Sequence, residues 1–178
     1  MEKQSITKCI EFMRKPDITE HIEFDNKQIT INWYDLVGKE VPNVKWYQVY
    51  VMGDIDGKVP IVNYEDGHSN LPGGKTEPGE TVDQTIAREI DEELKMKVLS
   101  WEPLGYQEWI ETETNSKKIQ LRVYAKLAKE EDFNNDPGGL VIGHSLVSLD
   151  ELNSKINYLE IGDHMVESVK AIKSKESI

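Results

Sequence analysis

The sequence predicts an α/β fold with a mixed central sheet, preceded by an N-terminal helix/strand extension. Three observations predict it. Runs of β-branched and aromatic residues recur at strand length along most of the chain. A strongly patterned helix follows a Gly/Pro-rich loop near the middle, and a second amphipathic helix closes the chain. At 178 residues the chain suits one domain with an extension and is long enough to bury a core.

Taken in order, Ser5 to Arg14 places Ile6, Ile10 and Met13 at helical spacing, with Cys9 beside them and Pro16 as a stop. Lys27 to Tyr34 alternates, with Ile29, Ile31 and Trp33 on one side, and reads as a strand. Val44 to Met52 is a second strand. Asp54-Ile55-Asp56-Gly57 has turn chemistry, so Val59 to Tyr64 is expected to return as a third. Asp66 to Glu80 is a loop, and Val82 to about Lys97 a helix. Leu104 to Thr112, Lys118 to Lys126 and Leu140 to Leu149 are further strands, with a loop over Asp132 to Gly139 and a closing helix from Tyr158 to Lys173. This divides the chain into an extension, residues 1–40, and a main domain, residues 41–178.

Composition narrows the function. The chain carries 33 acidic against 21 basic side chains, a formal net charge of −12, which opposes binding to a phosphate backbone. Lys170, Lys173 and Lys175 read as the solvated face of the last helix. No apolar run approaches the roughly 18–20 residues a membrane span requires, and the start lacks the continuous apolar stretch of a secretory signal, so a cytoplasmic location is expected. The single cysteine, Cys9, can form neither an internal disulfide nor a cysteine zinc site. An acidic chain can still hold a small phosphorylated ligand through divalent cations.

The stretch that carries chemistry is Leu71-Pro72-Gly73-Gly74-Lys75-Thr76-Glu77-Pro78-Gly79-Glu80, running into the helix. Thr81 and Gln84 form a capping-box signature. Val82, Ile86, Ile90 and Leu94 recur every fourth residue and make the core-facing stripe. Glu89, Glu92 and Glu93 lie at i+3 and i+4 spacing, so they project together from one turn. Left alone they repel; as a set of hard oxygens they suit Mg²⁺ or Mn²⁺. The ordinary alternative is a solvated acidic face in which Arg88 and Glu92 pair. The glycines before the helix leave backbone groups open to close approach by a metal or phosphate.

Gly74, five residues, Glu80, seven residues, then Arg88-Glu89-Ile90-Asp91-Glu92-Glu93-Leu94-Lys95-Met96 resembles the Nudix box, G-x5-E-x7-R-E-U-x-E-E-x-G-U. Six of the seven fixed positions match over 23 residues, with Ile90 and Met96 at the aliphatic positions. The resemblance implies an α/β/α sandwich and a diphosphohydrolase that uses Mg²⁺ or Mn²⁺ on a small nucleotide or nucleoside-diphosphate derivative. It implies Glu89, Glu92 and Glu93 as metal-binding carboxylates and the Gly73 carbonyl as a backbone ligand. Glu89, Arg88 and Glu93 become the catalytic candidates, with Glu89 receiving or guiding the proton of the attacking water and Arg88 paired with Glu80 to orient it. Gly74 and His68 are candidate substrate contacts. Two departures stand out: Lys95 replaces the final glycine, and Ser69-Asn70 occupies the place where relatives often carry a tryptophan.

Many relatives recruit another acidic residue downstream; Glu111, Glu113, Glu130, Glu131, Asp132 and Asp136 are all available, and the role stays open. Asp132-x-Asn134-x-Asp136 imitates an EF-hand opening, but Pro137 and Gly143 stand where that loop needs Gly and Glu, so it reads as a turn. His21, His68, His144 and His164 lack metal-ligand spacing. Trp46, Tyr47, Trp101, Tyr106, Trp109 and Tyr124 include candidate stacking platforms, though strand aromatics more commonly serve a core. Competing functions are a Nudix-fold nucleotide-binding or regulatory module without turnover and processing of RNA 5′ ends, the latter opposed by the charge. The motifs of NADH and ADP-ribose hydrolases are not matched. The N-terminal strand and helix could pack across a twofold, giving a homodimer.

Overall fold

Alternating burial builds the central sheet. In the computed structural model, which describes residues 14–133 and 136–176, the strands are β1 (Ile18–Phe24), β2 (Lys27–Asp35), β3 (Gln48–Asp54), β4 (Lys58–Tyr64), β5 (Ser69–Asn70), β6 (Gly73–Lys75), β7 (Met96–Glu111), β8 (Ser116–Lys129) and β9 (Val141–Ser148). The helices are α1 (Val82–Leu94), α2 (Leu152–Ile156) and α3 (Leu159–Glu176). The helix expected over Ser5–Arg14 lies outside the described residues apart from Arg14.

Six strands form the main sheet in the order β1-β2-β7-β8-β3-β6. The β3–β8 pair is parallel and the others antiparallel, so the sheet is mixed. Its two faces bury different sets. Val49, Val51, Leu121, Val123 and Tyr106 pack with Ile86, Ile90 and Leu94 of α1. Ile29, Ile31, Trp33, Met52 and Tyr124 pack with Ile161, Met165 and Val169 of α3. One helix on each face gives the sandwich.

Three differences from the sequence reading have physical causes. The turn after β3 forms, with Asp56 and Gly57 at positive φ, but β4 does not pair back along β3. Both edges of β3 are taken by β8 and β6, so β4 joins β5 and β9 in a second sheet. Residues 18–35 of the expected extension are not an appended arm. Asp25 and Asn26, at φ 52° and 57°, turn β1 onto β2, and β2 pairs with β7 from Ile29↔Glu111 to Asp35↔Gly105. Trp33 is fully buried there, and Gly105 makes room: a Cβ on it would fall 2.2 Å from the Trp33 ring.

The third difference is the end of α1. Lys95 adopts φ 54°, ψ 45°, and its N–H donates to the Asp91 and Ile90 carbonyls. A lysine therefore takes the left-handed position that glycine usually fills, at a cost of roughly 1 kcal/mol, and releases Met96 into β7. At the other end the capping box forms as expected: the Gln84 N–H donates to Thr81 Oγ1 and the Thr81 N–H to Gln84 Oε1. Among the described residues no helix is long and apolar enough to cross a membrane.

Candidate active site

The glycine loop and α1 meet at two contacts. Gly73 has φ 136°, and a Cβ on it would lie 2.2 Å from the Val49 carbonyl oxygen, so only glycine lets β6 pair against β3 here. Its N–H donates to Glu93 Oε2 at 2.7 Å. A Cβ on Gly74 would lie 2.6 Å from Glu89 Oε1, so the second glycine admits the second carboxylate. The repeat that faces α1 toward the core thus sends its neighbouring acidic face against the loop backbone.

Arg88 organises what remains. Its Nε and Nη2 donate to the two oxygens of Glu80 at 2.7 and 3.0 Å. Nη1 reaches Glu89 Oε1 at 2.8 Å and Glu92 Oε2 at 3.2 Å, and Nη2 also reaches the Lys75 carbonyl at 3.0 Å. The expected Arg88–Glu80 pair is therefore present in forked geometry. Glu80 further accepts from the Glu77 N–H and the Thr85 hydroxyl. Arg88 above all holds the Glu80 carboxyl down to about 2.

Burial works the other way on the carboxylates of α1. Glu89 and Glu93 are each only 8% exposed. Burial pushes Glu93 up to about 8, against the Gly73 N–H, with the charges of Glu89, Asp136 and Glu92 adding to the rise. Burial also raises Glu89, opposed by Arg88. Among the described residues no three His, Cys, Asp or Glu side chains stand gathered as a metal cluster; Arg88 engages Glu89 and Glu92, and Gly73 engages Glu93. The donor chemistry nonetheless fits a hard divalent cation. Three carboxylates share one stretch of helix, two are nearly buried, and their mutual repulsion is only partly relieved by one guanidinium.

Of the downstream acids, the structure brings Asp136 within electrostatic reach of Glu93. Its carboxylate accepts from the N–H groups of Gly138, Leu140 and Val141. Glu111 instead pairs with Lys27 and Asp132 with Lys129. Sequence spacing could not separate these acids, because only the return of β9 alongside β4 brings residue 136 back to α1.

A cleft of about 490 Å³ opens on the α3 face of the sheet, lined among others by Tyr50, Asn70, Trp109, Lys118, Arg122 and Tyr158. It adjoins the carboxylates through Tyr50, which pairs with Gly73 across β3–β6 and feels the charges of Glu93 and Glu89. Asn70, standing in place of the family tryptophan, accepts from the Tyr158 hydroxyl and fixes the α2–α3 loop over the cleft. Lys75 and Lys118 lie over the Tyr47 ring at 5.8 and 4.9 Å, local cations in an acidic protein. His68 is not in the cleft lining: it stacks on Tyr64 at 4.1 Å and pairs with Asp66. Trp46, Tyr106 and Tyr124 are core, whereas Tyr47 and Trp109 border the cleft. Sequence reading missed Arg122, Gln48, Gln107 and Gln120 here; their polarity at buried strand positions was the available signal.

This sheet, loop and helix define a Nudix domain. The NUDIX domain family matches residues 38–168, and the chain belongs to that family. YtkD of Bacillus subtilis, provisionally designated an 8-oxo-dGTP diphosphatase, is 29% identical over 126 residues, 70% of this chain and 79% of that protein. In fold the chain is similar to the B. subtilis pyrophosphohydrolase BsRppH, with a TM-score of 0.68 at 19% identity over 85% of this chain and 96% of that one. It is also similar to a NUDIX hydrolase from Nitrosomonas europaea, with a TM-score of 0.57 at 20% identity over 70% and 87%.

Proposed function

We propose that this protein hydrolyses a diphosphate linkage in a small nucleotide or nucleoside-diphosphate-linked metabolite, with Mg²⁺ or Mn²⁺. The observation that carries the reading is the meeting of Glu89 and Glu93 with the Gly73–Gly74 loop, with Arg88 anchored on Glu80. Glu89, Glu92, Glu93 and the Gly73 carbonyl would hold the cation, which when bound polarises phosphoryl oxygens and lowers the pKa of a bound water. Glu89 receives or guides the proton of the attacking water. Arg88 fixes its carboxylate by the 2.8 Å contact and keeps the helix charges from repelling. The Gly73 N–H orients Glu93.

The test is product formation across nucleoside triphosphates, dinucleotides, nucleotide sugars and ADP-ribose, with Mg²⁺ or Mn²⁺ and with EDTA, beside Glu93→Gln. Cleavage by the wild type alone, and only with metal, supports the hydrolase. Full activity of Glu93→Gln, or activity untouched by EDTA, overturns it. One observation favours a second reading, nucleotide binding without turnover: Arg88 already engages two of the three carboxylates. Stabilisation by a nucleotide with no turnover in any metal selects that reading.

A further inference from the structure

The α3 face of the sheet is apolar where it is covered, by Trp33, Met52, Leu104 and Tyr124. Under the cleft the same face changes character. Register places Gln107 opposite Trp33, Gln120 opposite Gln107, and Gln48 beside Gln120, so three glutamines lie in one transverse row over β7, β8 and β3. Gln107 Nε2 donates to Gln120 Oε1 at 2.7 Å, Gln120 Nε2 to Gln48 Oε1 at 2.6 Å, and Gln48 Nε2 to the Tyr50 hydroxyl at 2.9 Å. Gln107 and Gln120 are 5% and 9% exposed. Burying amides costs free energy unless they are hydrogen-bonded, and here each one donates to the next group in the row.

Arg122 sets the direction of this row. It is 3% exposed, and its guanidinium lies 4.4 Å from the Tyr50 ring and 5.4 Å from the Tyr158 ring. Nη2 donates to Gln120 Oε1 at 3.1 Å. An arginine has donors only, so it obliges Gln120 to turn its oxygen inward and its amide N–H toward Gln48. The rest of the row follows. Nη1 makes a long contact with the Leu121 carbonyl at 3.4 Å, while Nε is buried without a hydrogen-bond partner among the described residues. None of the contacts of Arg122 among the described residues is a carboxylate. A buried guanidinium with a spare donor and no counter-ion is poised for an acceptor brought by a ligand.

We infer that this cleft seats the base of the substrate nucleotide and that Arg122, with the glutamine row it orients, selects a 6-oxopurine. The inference rests on the hydrolase reading for its substrate class. On the hydrolase reading the phosphates belong at the α1 carboxylates; Tyr50 lines the cleft and pairs with Gly73, whose N–H holds Glu93, so a nucleotide can span the two places. Trp109, Ile31 and Ile161 give apolar walls suited to a flat ring, and the volume suits a bicyclic one. Guanine and hypoxanthine present O6 and N7, both acceptors, which match a guanidinium; adenine turns its amino group, a donor, toward another donor. A pyrimidine leaves part of the cleft unfilled.

The experiment titrates GMP, IMP, AMP and CMP into the full chain in Mg²⁺, by calorimetry; a monophosphate has no diphosphate linkage to cleave, so binding is read without turnover. GMP and IMP are expected to bind at least about tenfold tighter than AMP and CMP. Arg122→Met, checked for folding by circular dichroism, erases that preference. Arg122→Lys, which keeps charge but loses the fork, reduces it and serves if the methionine variant does not fold. Equal affinities for all four nucleotides in the wild type, no binding at millimolar nucleotide, or a preference that survives in folded Arg122→Met each overturn the inference. Preference for GMP with no hydrolysis of any guanine-containing triphosphate, dinucleotide or nucleotide sugar, in Mg²⁺ or Mn²⁺, sinks the hydrolase reading while keeping the base site. Hydrolysis without base preference does the reverse.

Discussion

Gly74 and Glu89 are fitted to each other: a Cβ at position 74 would stand 2.6 Å from Glu89 Oε1 and 2.9 Å from its carboxyl carbon. The atoms in the way are the far end of a flexible side chain, so Gly74→Ala displaces the carboxylate rather than the fold. The expected outcome is a loss of turnover of about a hundredfold, the scale of a misplaced catalytic group, with little change in denaturation midpoint. Gly73→Ala meets the Val49 carbonyl oxygen and the strand backbone instead, at φ 136°. It should cost about 3 kcal/mol in urea unfolding. If both variants lose stability alike, the distinction fails.

Arg88 neutralises part of a cluster of four glutamates. Arg88→Met leaves Glu80, Glu89 and Glu92 facing one another and should destabilise the metal-free protein by about 2 kcal/mol. Added Mg²⁺ should narrow that deficit, because a cation that binds only the folded state stabilises by mass action. Thermal denaturation of both proteins in EDTA and in Mg²⁺ measures the two effects; a deficit that Mg²⁺ leaves unchanged counts against metal binding at these residues.

The same contact sets an acid limb. Glu80 has its pKa lowered from 4.5 to about 2, chiefly by Arg88. A carboxyl depressed in the folded state binds fewer protons than in the unfolded one, so its contribution is present above about pH 4.5 and disappears as pH falls toward about 2. Glu80→Gln should therefore be less stable than wild type at pH 7, with the difference closing by about pH 2. Equilibrium unfolding across that range shows it, and a gap that stays constant with pH contradicts it.

Lys95 holds a left-handed conformation at φ 54°. Lys95→Gly should stabilise the protein by about 1 kcal/mol, raising Tm by about 2–4 °C, since the 3.6 Å pair with Asp91 that it loses is worth little. A fall in Tm would mean that the lysine stem contributes more by packing than its backbone costs.

Elements with a local cause were legible along the chain. The capping box at Thr81 and Gln84, the stripe of Ile86, Ile90 and Leu94, and the i+3 and i+4 glutamates follow from helical periodicity. Spacing from Gly74 to Met96 was long enough to carry the family and the Arg88–Glu80 pair. The remainder depends on which strands meet in the folded protein. Nothing local tells β4 that both edges of β3 are occupied, or β1 that its mixed Ile-Thr-Glu pattern has an edge to join. Asp136 differs from its acidic neighbours only because β9 folds back beside β4. The row of Gln48, Gln107 and Gln120 exists because parallel and antiparallel pairing align three distant strands, with Arg122 one step along β8. Periodicity acts over a turn of helix or a pair of residues, whereas a cleft is made by register between segments tens of residues apart.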